Sequence, residues 1–167
     1  MVPVTIESVR VSLVSQHRLI VLREQGGKRY LPIWIGAFEA EAITVKLQGA
    51  TMARPMTHDL LQRTINQLGG EILRVVISDL RQDTFFANIY VRQNGEELSV
   101  DSRPSDAVAL AVRAGVPVFV ADTVMEQAGI EPDPMPWQST VKEEPSEEDI
   151  SIFRDFIDTL DLDDLES

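Results

Sequence analysis

Residues 100–115 read VDSRPSDAVALAVRAG, and the rest of the predicted fold is arranged around this stretch. Its second half, AVALAV, carries no polar side chain, and a helix that is apolar on all sides is normally buried. Pro104 suits the first turn of a helix, and both Ser102 and Ser105 are good N-cap residues. Gly115 is a favourable residue for ending the helix. The stretch therefore predicts a short buried helix.

Charged side chains crowd the start of this predicted helix. Asp101, Arg103 and Asp106 lie within six residues, and a helix N-terminus favours anions because its first N–H groups point outward. This end can be a phosphate-binding site, or it can be a capped helix start whose charges pair with one another. Three charged groups that enter one buried helix favour a functional site, because buried charges are costly unless they are paired or liganded.

Length and composition predict one domain with an appendage. The chain has 167 residues and 44% hydrophobic side chains, which is enough for a single core. We expect a domain over residues 1–129, a linker with four prolines over residues 130–145, and an acidic amphipathic helix over residues 146–167. Because there is no cysteine, disulfides, thiolate metal sites and a cysteine nucleophile are excluded.

The net charge of −12 comes entirely from the C-terminal part of the chain. Residues 1–125 hold 13 acidic and 13 basic side chains, whereas residues 126–167 hold 14 acidic and two basic ones. A neutral body lacks the basic excess of a dedicated nucleic-acid binder, so DNA or RNA is expected to bind weakly. The sequence shows no signal-peptide pattern and no apolar run near the roughly 20 residues of a membrane helix. We therefore expect a cytoplasmic protein without a membrane segment.

Alternating apolar residues and glycine-containing turns predict a mixed, largely antiparallel sheet with packed helices, so the expected fold class is α+β. Strands are predicted over residues 2–13, with a bulge near Ser8, and over residues 19–23, 29–35, 71–80, 84–92, 96–100 and 116–121. Further helices are predicted over residues 37–48, after an N-cap at Thr57, and after a cap at Asp122.

The same order of three strands and one helix occurs twice, at residues 4–49 and 72–115. Gly49 matches Gly115 at an offset of 66, and the two helix entrances then correspond. We interpret this as a duplicated βββα unit in which only the second entrance carries the charged side chains. The helix at residues 37–48 is apolar on two opposite faces, which predicts packing between layers or between the subunits of a homo-oligomer.

The chain resembles the bifunctional nuclease family of bacteria and plants in four segments: LPIWIGAFEAEAI (31–43), ARPMTHDLL (53–61), ISDLRQDTFFA (77–87) and VDSRPSDAVALAVR (100–113). The resemblance covers about residues 4–128, and its most specific parts are RPMTHDL and SRPSDA. It implies an α+β domain of its own fold and nuclease activity on both DNA and RNA. It implies no catalytic assignment, so the site residues are argued from chemistry at the matching positions.

Hydrolysis of a phosphodiester needs an activated water and stabilisation of the charge that grows on the phosphate. Carboxylates holding Mg²⁺ or Mn²⁺ can supply both, and so can a histidine base with an arginine clamp. The expected catalytic residues are His58, Asp59, Asp101 and Asp106. Of these, Asp101 and Asp106 would hold the Mg²⁺ or Mn²⁺ ion. The expected substrate-binding residues are Arg54, Arg103 and Ser105.

The same residue types also have structural explanations. His58 and Asp59 fall in the first turn of a predicted helix, where an acidic side chain is stabilised by the helix dipole. Glu39 and Glu41 point about 200° apart on their helix, so they are expected at seams or interfaces rather than in one site. Trp34 is expected in the core.

Two functions therefore stay open. The first is a metal-assisted nuclease that cleaves DNA and RNA with little sequence specificity, which the resemblance favours. The second is a non-catalytic, oligomeric regulatory or ligand-binding module for a phosphate-bearing metabolite or a protein, which the neutral charge of residues 1–125 favours.

Overall fold

The structure, a computed structural model, describes residues 1–11, 18–50 and 52–131. In this part of the chain a mixed sheet of seven strands is packed with four helices, which confirms the α+β class. The strands are β1 (Val2–Val11), β2 (Arg18–Glu24), β3 (Tyr30–Ile35), β4 (Glu71–Arg81), β5 (Thr84–Gln93), β6 (Glu96–Ser102) and β7 (Val118–Val120). The helices are α1 (Ala37–Leu47), α2 (Thr57–Gln67), α3 (Pro104–Ala114) and α4 (Asp122–Ala128).

The strand order β3-β2-β1-β7-β4-β5-β6 places an antiparallel three-stranded unit on each side of β7. β7 pairs antiparallel with β1 and parallel with β4. The two units therefore take the positions and directions that a two-fold axis perpendicular to the sheet would produce. Each unit ends in a helix, α1 after β3 and α3 after β6, so the duplicated βββα unit is present.

Local turn chemistry explains the hairpins. Asn94 and Gly95 have φ of 54° and 86°, and a two-residue turn of type I′ between antiparallel strands requires positive φ at both of its central positions. The turn between β4 and β5 also uses two residues with positive φ. In β1 the pairing with β2 shifts between Ile6 and Ser8, which is the bulge expected near Ser8.

α3 is the buried helix that residues 100–115 predict. It packs against α1, α2 and the strands β3, β4 and β5. Burying one Val or Leu side chain contributes roughly 1.5–3 kcal/mol to the stability of the fold. Because α3 is covered on every side, an unbroken run of apolar residues is favourable there. Its fully buried apolar residues are Ala107, Val108, Ala109, Leu110 and Ala111.

Two local expectations are corrected. Trp34 is 65% exposed rather than in the core, because it alternates with the buried Ile33 on β3, the edge strand of the sheet. The helix caps lie one residue earlier than expected: α2 already includes Thr57, with Met56 as its N-cap residue, and α4 already includes Asp122.

Several sequence expectations lie outside the described residues. They are the end of the first strand at residues 12–13, the linker beyond residue 131, and the acidic helix over residues 146–167. The domain boundary at residue 129 stays a prediction. Among the described helices, none is long and apolar enough to cross a membrane.

Candidate functional site

The entrance to α3 forms the centre of the candidate site. Pro104 takes the first helical position, where its missing N–H leaves no hydrogen bond unmade. Arg103 is therefore the N-cap residue. Ser102 or Ser105 was expected at that position, and neither occupies it. The Arg103 side chain makes no capping hydrogen bond. It extends instead to two carboxylates.

Four side chains from α1, α2 and the entrance to α3 meet here, and we call Glu39, His58, Arg103 and Asp106 the charged cluster. His58 Nε2 lies 3.0 Å from Asp106 Oδ1, and Arg103 Nε donates a 2.7 Å hydrogen bond to Asp106 Oδ2. A second nitrogen of Arg103 donates to Glu39 Oε1. Asp106 thus joins α2 to the α3 entrance, and Arg103 joins that entrance to α1.

Electrostatics keep Asp106 ionised. Burial raises the pKa of Asp106, but hydrogen bonds from Arg103 and His58 outweigh burial and hold the pKa below its ordinary value. The hydrogen bonds to Asp106 and Glu39 raise the pKa of Arg103. Because an ionised carboxylate only accepts, we assign the ring proton of His58 to Nε2. In the neutral imidazole, Nδ1 of His58 then carries the lone pair, and this atom is buried without a hydrogen-bond partner among the described residues.

A cavity of about 400 Å³ opens beside the charged cluster, and Phe38 and Met56 complete part of its lining. The Arg103 side chain is 65% exposed, whereas His58 is only 7% exposed. The volume falls in the range of small-molecule sites in proteins. An entering ligand would therefore meet the guanidinium before the imidazole.

Glu39 belongs to this cluster rather than to the seam or interface expected for it. A Cβ atom at Gly36 would lie 2.2 Å from Glu39 Oε2, so the missing side chain makes room for the carboxylate. Gly36 has a φ of −69°, so its backbone does not itself require glycine. One sequence feature pointed here: the offset of 66 between the repeats aligns Glu39 with Ser105, in the first turn of α3.

Asp59 is not brought together with the cluster. Its Oδ1 accepts a 2.8 Å hydrogen bond from Arg113 Nε, and its Oδ2 accepts one of 2.9 Å from the backbone N–H of Met56. Burial raises the pKa of Asp59, but the Met56 N–H and the charge of Arg113 outweigh it and lower the pKa. The Arg113 side chain is 2% exposed and also donates to the carbonyls of Ala42 and Ala109. Arg113 was not predicted as a functional residue, although it is the one charged residue that directly follows the apolar run of α3.

Asp101 lies near the end of β6, opposite Asn88 of β5. Together with Asp106 it lines a separate, mainly apolar groove of about 520 Å³. Both carboxylate oxygens of Asp106 are already bonded to Arg103 and His58. Within residues 1–11, 18–50 and 52–131, no three His, Asp or Glu side chains are grouped closely enough to hold a metal ion. The arrangement of these residues thus does not fit a preformed Mg²⁺ or Mn²⁺ site.

The other expected substrate-binding residues lie at two further cavities. Ser105 is buried and lines a cavity of about 350 Å³ together with Arg103 and Trp34. Arg54 lines another cavity, of about 410 Å³, together with Asp59. The structure therefore brings His58, Arg103 and Asp106 into one place, and it sets Asp59 and Arg54 apart from them.

Comparison with known proteins places the chain in a family. A family model described as "Bifunctional nuclease domain" matches residues 20–133. A Mycobacterium tuberculosis protein named only as uncharacterized is 39% identical over 165 residues, 98% of each chain. Bifunctional nuclease 2 of Oryza sativa subsp. japonica is 30% identical over 115 residues, 66% of this chain and 35% of that relative. Bifunctional nuclease 2 of Arabidopsis thaliana is 30% identical over 108 residues, 62% and 33% of the two chains. This chain belongs to the bifunctional nuclease domain family.

Proposed function

We propose that this chain hydrolyses phosphodiester bonds of DNA and RNA with little sequence specificity, at the cavity beside the charged cluster. The observation that carries the proposal is the meeting of His58 with Arg103 and Asp106 in one cavity of a bifunctional nuclease domain. A base can activate the water, a fixed cation can stabilise charge on the phosphate, and a carboxylate can orient the base.

Arg103 is the proposed phosphate-binding residue. Two carboxylates, Glu39 and Asp106, hold its guanidinium at the mouth of the cavity, and most of the side chain is exposed. The guanidinium has five N–H donors, so two partners leave donors for phosphate oxygens. Because Arg103 is held before substrate arrives, little reorganisation is needed when negative charge grows on the phosphate.

His58 is the proposed general base, and Asp106 is its positioning residue. The ionised Asp106 holds the Nε2–H and leaves the lone pair on Nδ1, which would take a proton from the attacking water. The water oxygen would bond to phosphorus as the bond from phosphorus to the leaving ester oxygen breaks, and the leaving oxygen would take a proton from solvent. Nδ1 is covered in the free chain, so this role requires substrate binding to open a path from the cavity to Nδ1. Asp59 and Asp101 receive no step in this scheme, because they lie outside the cluster.

Assistance by Mg²⁺ or Mn²⁺ stays a separate prediction. The described residues do not form a ready-made ion site, so no step of the proposed reaction is routed through a metal. Loss of cleavage with a chelator would support the prediction, and cleavage that survives the chelator would contradict it.

A second candidate function is a non-catalytic module that binds a phosphate-bearing ligand. The observation that favours it is the complete internal pairing of Asp106, together with the covered Nδ1 of His58. Charged groups satisfied in this way also occur where a buried ion pair only joins elements of the fold.

Cleavage assays separate the two functions. Highly purified protein is incubated with single- and double-stranded DNA and RNA, with and without EDTA, beside His58→Ala, Asp106→Asn and the distant control Asp122→Asn. The nuclease proposal expects the first two variants to lose at least about 100-fold in rate, which is the usual contribution of general acid–base catalysis. Cleavage that survives both substitutions would reject the site. Cleavage that disappears on further purification of the unmodified protein would reject the nuclease.

Homo-oligomerisation and a cytoplasmic location also stay predictions. Exposed apolar side chains on α1, above all Phe38 at 85% exposure, support an interface between copies. Light scattering coupled to size-exclusion chromatography tests this interface, because a monomeric mass would contradict it. Localisation of a fluorescent fusion tests the compartment.

A further inference from the structure

A second cavity, of about 410 Å³, shares the Met56 lining with the cavity of the charged cluster. The last turn of α1, the loop between α1 and α2, and α2 itself each direct one basic residue to it. We call this cavity, with Lys46, Arg54 and Arg63 in its lining, the basic pocket.

The three basic residues of this pocket outnumber the carboxylates that line it. None of them forms an ion pair or a side-chain hydrogen bond with any of the residues that the structure describes. The one carboxylate in the lining, Asp59, already has its two oxygens engaged by Arg113 and by the backbone N–H of Met56. By contrast, most arginines of the described chain are paired with a carboxylate: Arg23, Arg29, Arg74, Arg81, Arg92, Arg103 and Arg113.

The end of α1 does not oppose an anion in this cavity. Free carbonyls at a helix C-terminus would repel one. Here the carbonyls of Thr44, Val45 and Lys46 accept hydrogen bonds from the N–H groups of residues 48–50. These three carbonyls are therefore not free to repel an anion in the pocket.

We propose that the basic pocket binds a phosphate group of the nucleic-acid backbone, on the same strand as the phosphate held at Arg103. This inference rests on the proposed nuclease function. Residues 1–125 have no basic excess overall, so a local group of three basic side chains is where such a chain can hold a polyanion. Met56 borders both cavities, so the proposed strand would pass along the seam between α1 and α2.

Binding of a fluorescent single-stranded oligothymidylate, followed by anisotropy over a range of salt concentrations, tests this site. The variant Arg54→Gln/Arg63→Gln is compared with Arg10→Gln/Lys28→Gln, which removes the same charge from exposed positions outside the pocket. Far-UV circular dichroism verifies folding, and a gel verifies that the probe stays intact. Should the double variant unfold, Lys46→Gln and Arg63→Gln are tested singly.

The pocket variant is expected to lose affinity on the order of tenfold at low salt, and its log–log salt slope should fall by about 0.7, the value for one lost phosphate contact on a single strand. The control should stay within about threefold of the unmodified protein. Equal losses in both variants, or none in the pocket variant, would overturn the inference.

Titration with inorganic phosphate separates the two sources of a phosphate group. If inorganic phosphate binds through Arg54 and Arg63 while oligothymidylate binding does not depend on them, the ligand is a small phosphorylated compound and the inference is wrong. The nuclease proposal can fail while the pocket proposal holds. Oligothymidylate binding that depends on the pocket, without cleavage by the unmodified protein, would keep the pocket and reject the enzyme.

Discussion

Gly36 precedes α1, and its missing side chain leaves space for the carboxylate of Glu39. Its backbone angles do not themselves require glycine. Gly36→Ala is expected to keep the free energy of unfolding within about 1 kcal/mol, because glycine and alanine differ by about that amount at ordinary backbone angles. The added Cβ would displace Glu39 Oε2 and release Arg103 from one of its two carboxylates. Cleavage should therefore fall as it does in Glu39→Gln, measured beside urea unfolding curves of both variants. Normal cleavage by Gly36→Ala, with a loss in Glu39→Gln, would contradict this account.

Two partly buried carboxylates, Asp59 and Asp106, predict how stability depends on pH. The pKa values of Asp59 and Asp106 are lowered in the folded state, so their stabilisation is present above the unfolded value of about 3.9 and is lost as the pH falls through the folded values. The free energy of unfolding should therefore decrease below about pH 4. Asp106→Asn should be less stable at pH 7 and should show a shallower decrease in acid, measured by urea unfolding at several pH values. Parallel curves for the two proteins would show that Asp106 does not contribute.

At the scale of elements, α2 is attached to α3 by its first turn. His58 reaches Asp106 at the start of α3, and Asp59 reaches Arg113 near its end. Consecutive residues on a helix point about 100° apart, so one turn of α2 serves two different partners. The contact between Asp59 and Arg113 lies outside the charged cluster, and it therefore helps to position His58 within the cluster.

Arg113→Ala tests this attachment. It removes a buried guanidinium that bonds Asp59 and two backbone carbonyls, and it leaves those acceptors without a partner. The expected loss is about 3–5 kcal/mol of unfolding free energy, as for a broken buried ion pair. Arg92→Ala removes the exposed pair with Glu71 and should cost less than about 1 kcal/mol. Similar losses in the two variants, compared by chemical denaturation, would mean that Arg113 is not the attachment of α2.

At the scale of the whole molecule, the separation of charge predicts restrained binding of nucleic acid. Residues 146–167 hold nine acidic side chains and one basic one, whereas residues 1–125 hold equal numbers of acidic and basic side chains. Deleting them should strengthen oligonucleotide binding at low salt, and the difference should shrink at 0.15 M salt, where the screening length is about 8 Å. Anisotropy measurements on both proteins test this. Equal affinities at low salt would dismiss an electrostatic role of the segment.

Much of the fold was predictable from local sequence. The apolar run in α3, the two-residue turn at Asn94 and Gly95, the bulge near Ser8 and the repeated βββα order all arise from interactions between neighbouring residues. Such features depend on periodicity and turn chemistry, which short segments already contain. The exposure of Trp34 was not predictable in this way, because it depends on β3 being an edge strand.

The sequence by itself determined the duplicated α+β architecture, the buried helix and the concentration of charge at its entrance. Only the tertiary structure decided which charges meet: Glu39 with Arg103, His58 with Asp106, and Asp59 with Arg113. These pairs are 64, 48 and 54 residues apart in sequence. Periodicity reports whether a side chain faces the core, but not which distant side chain it faces, because partner choice depends on how three helices pack on one sheet.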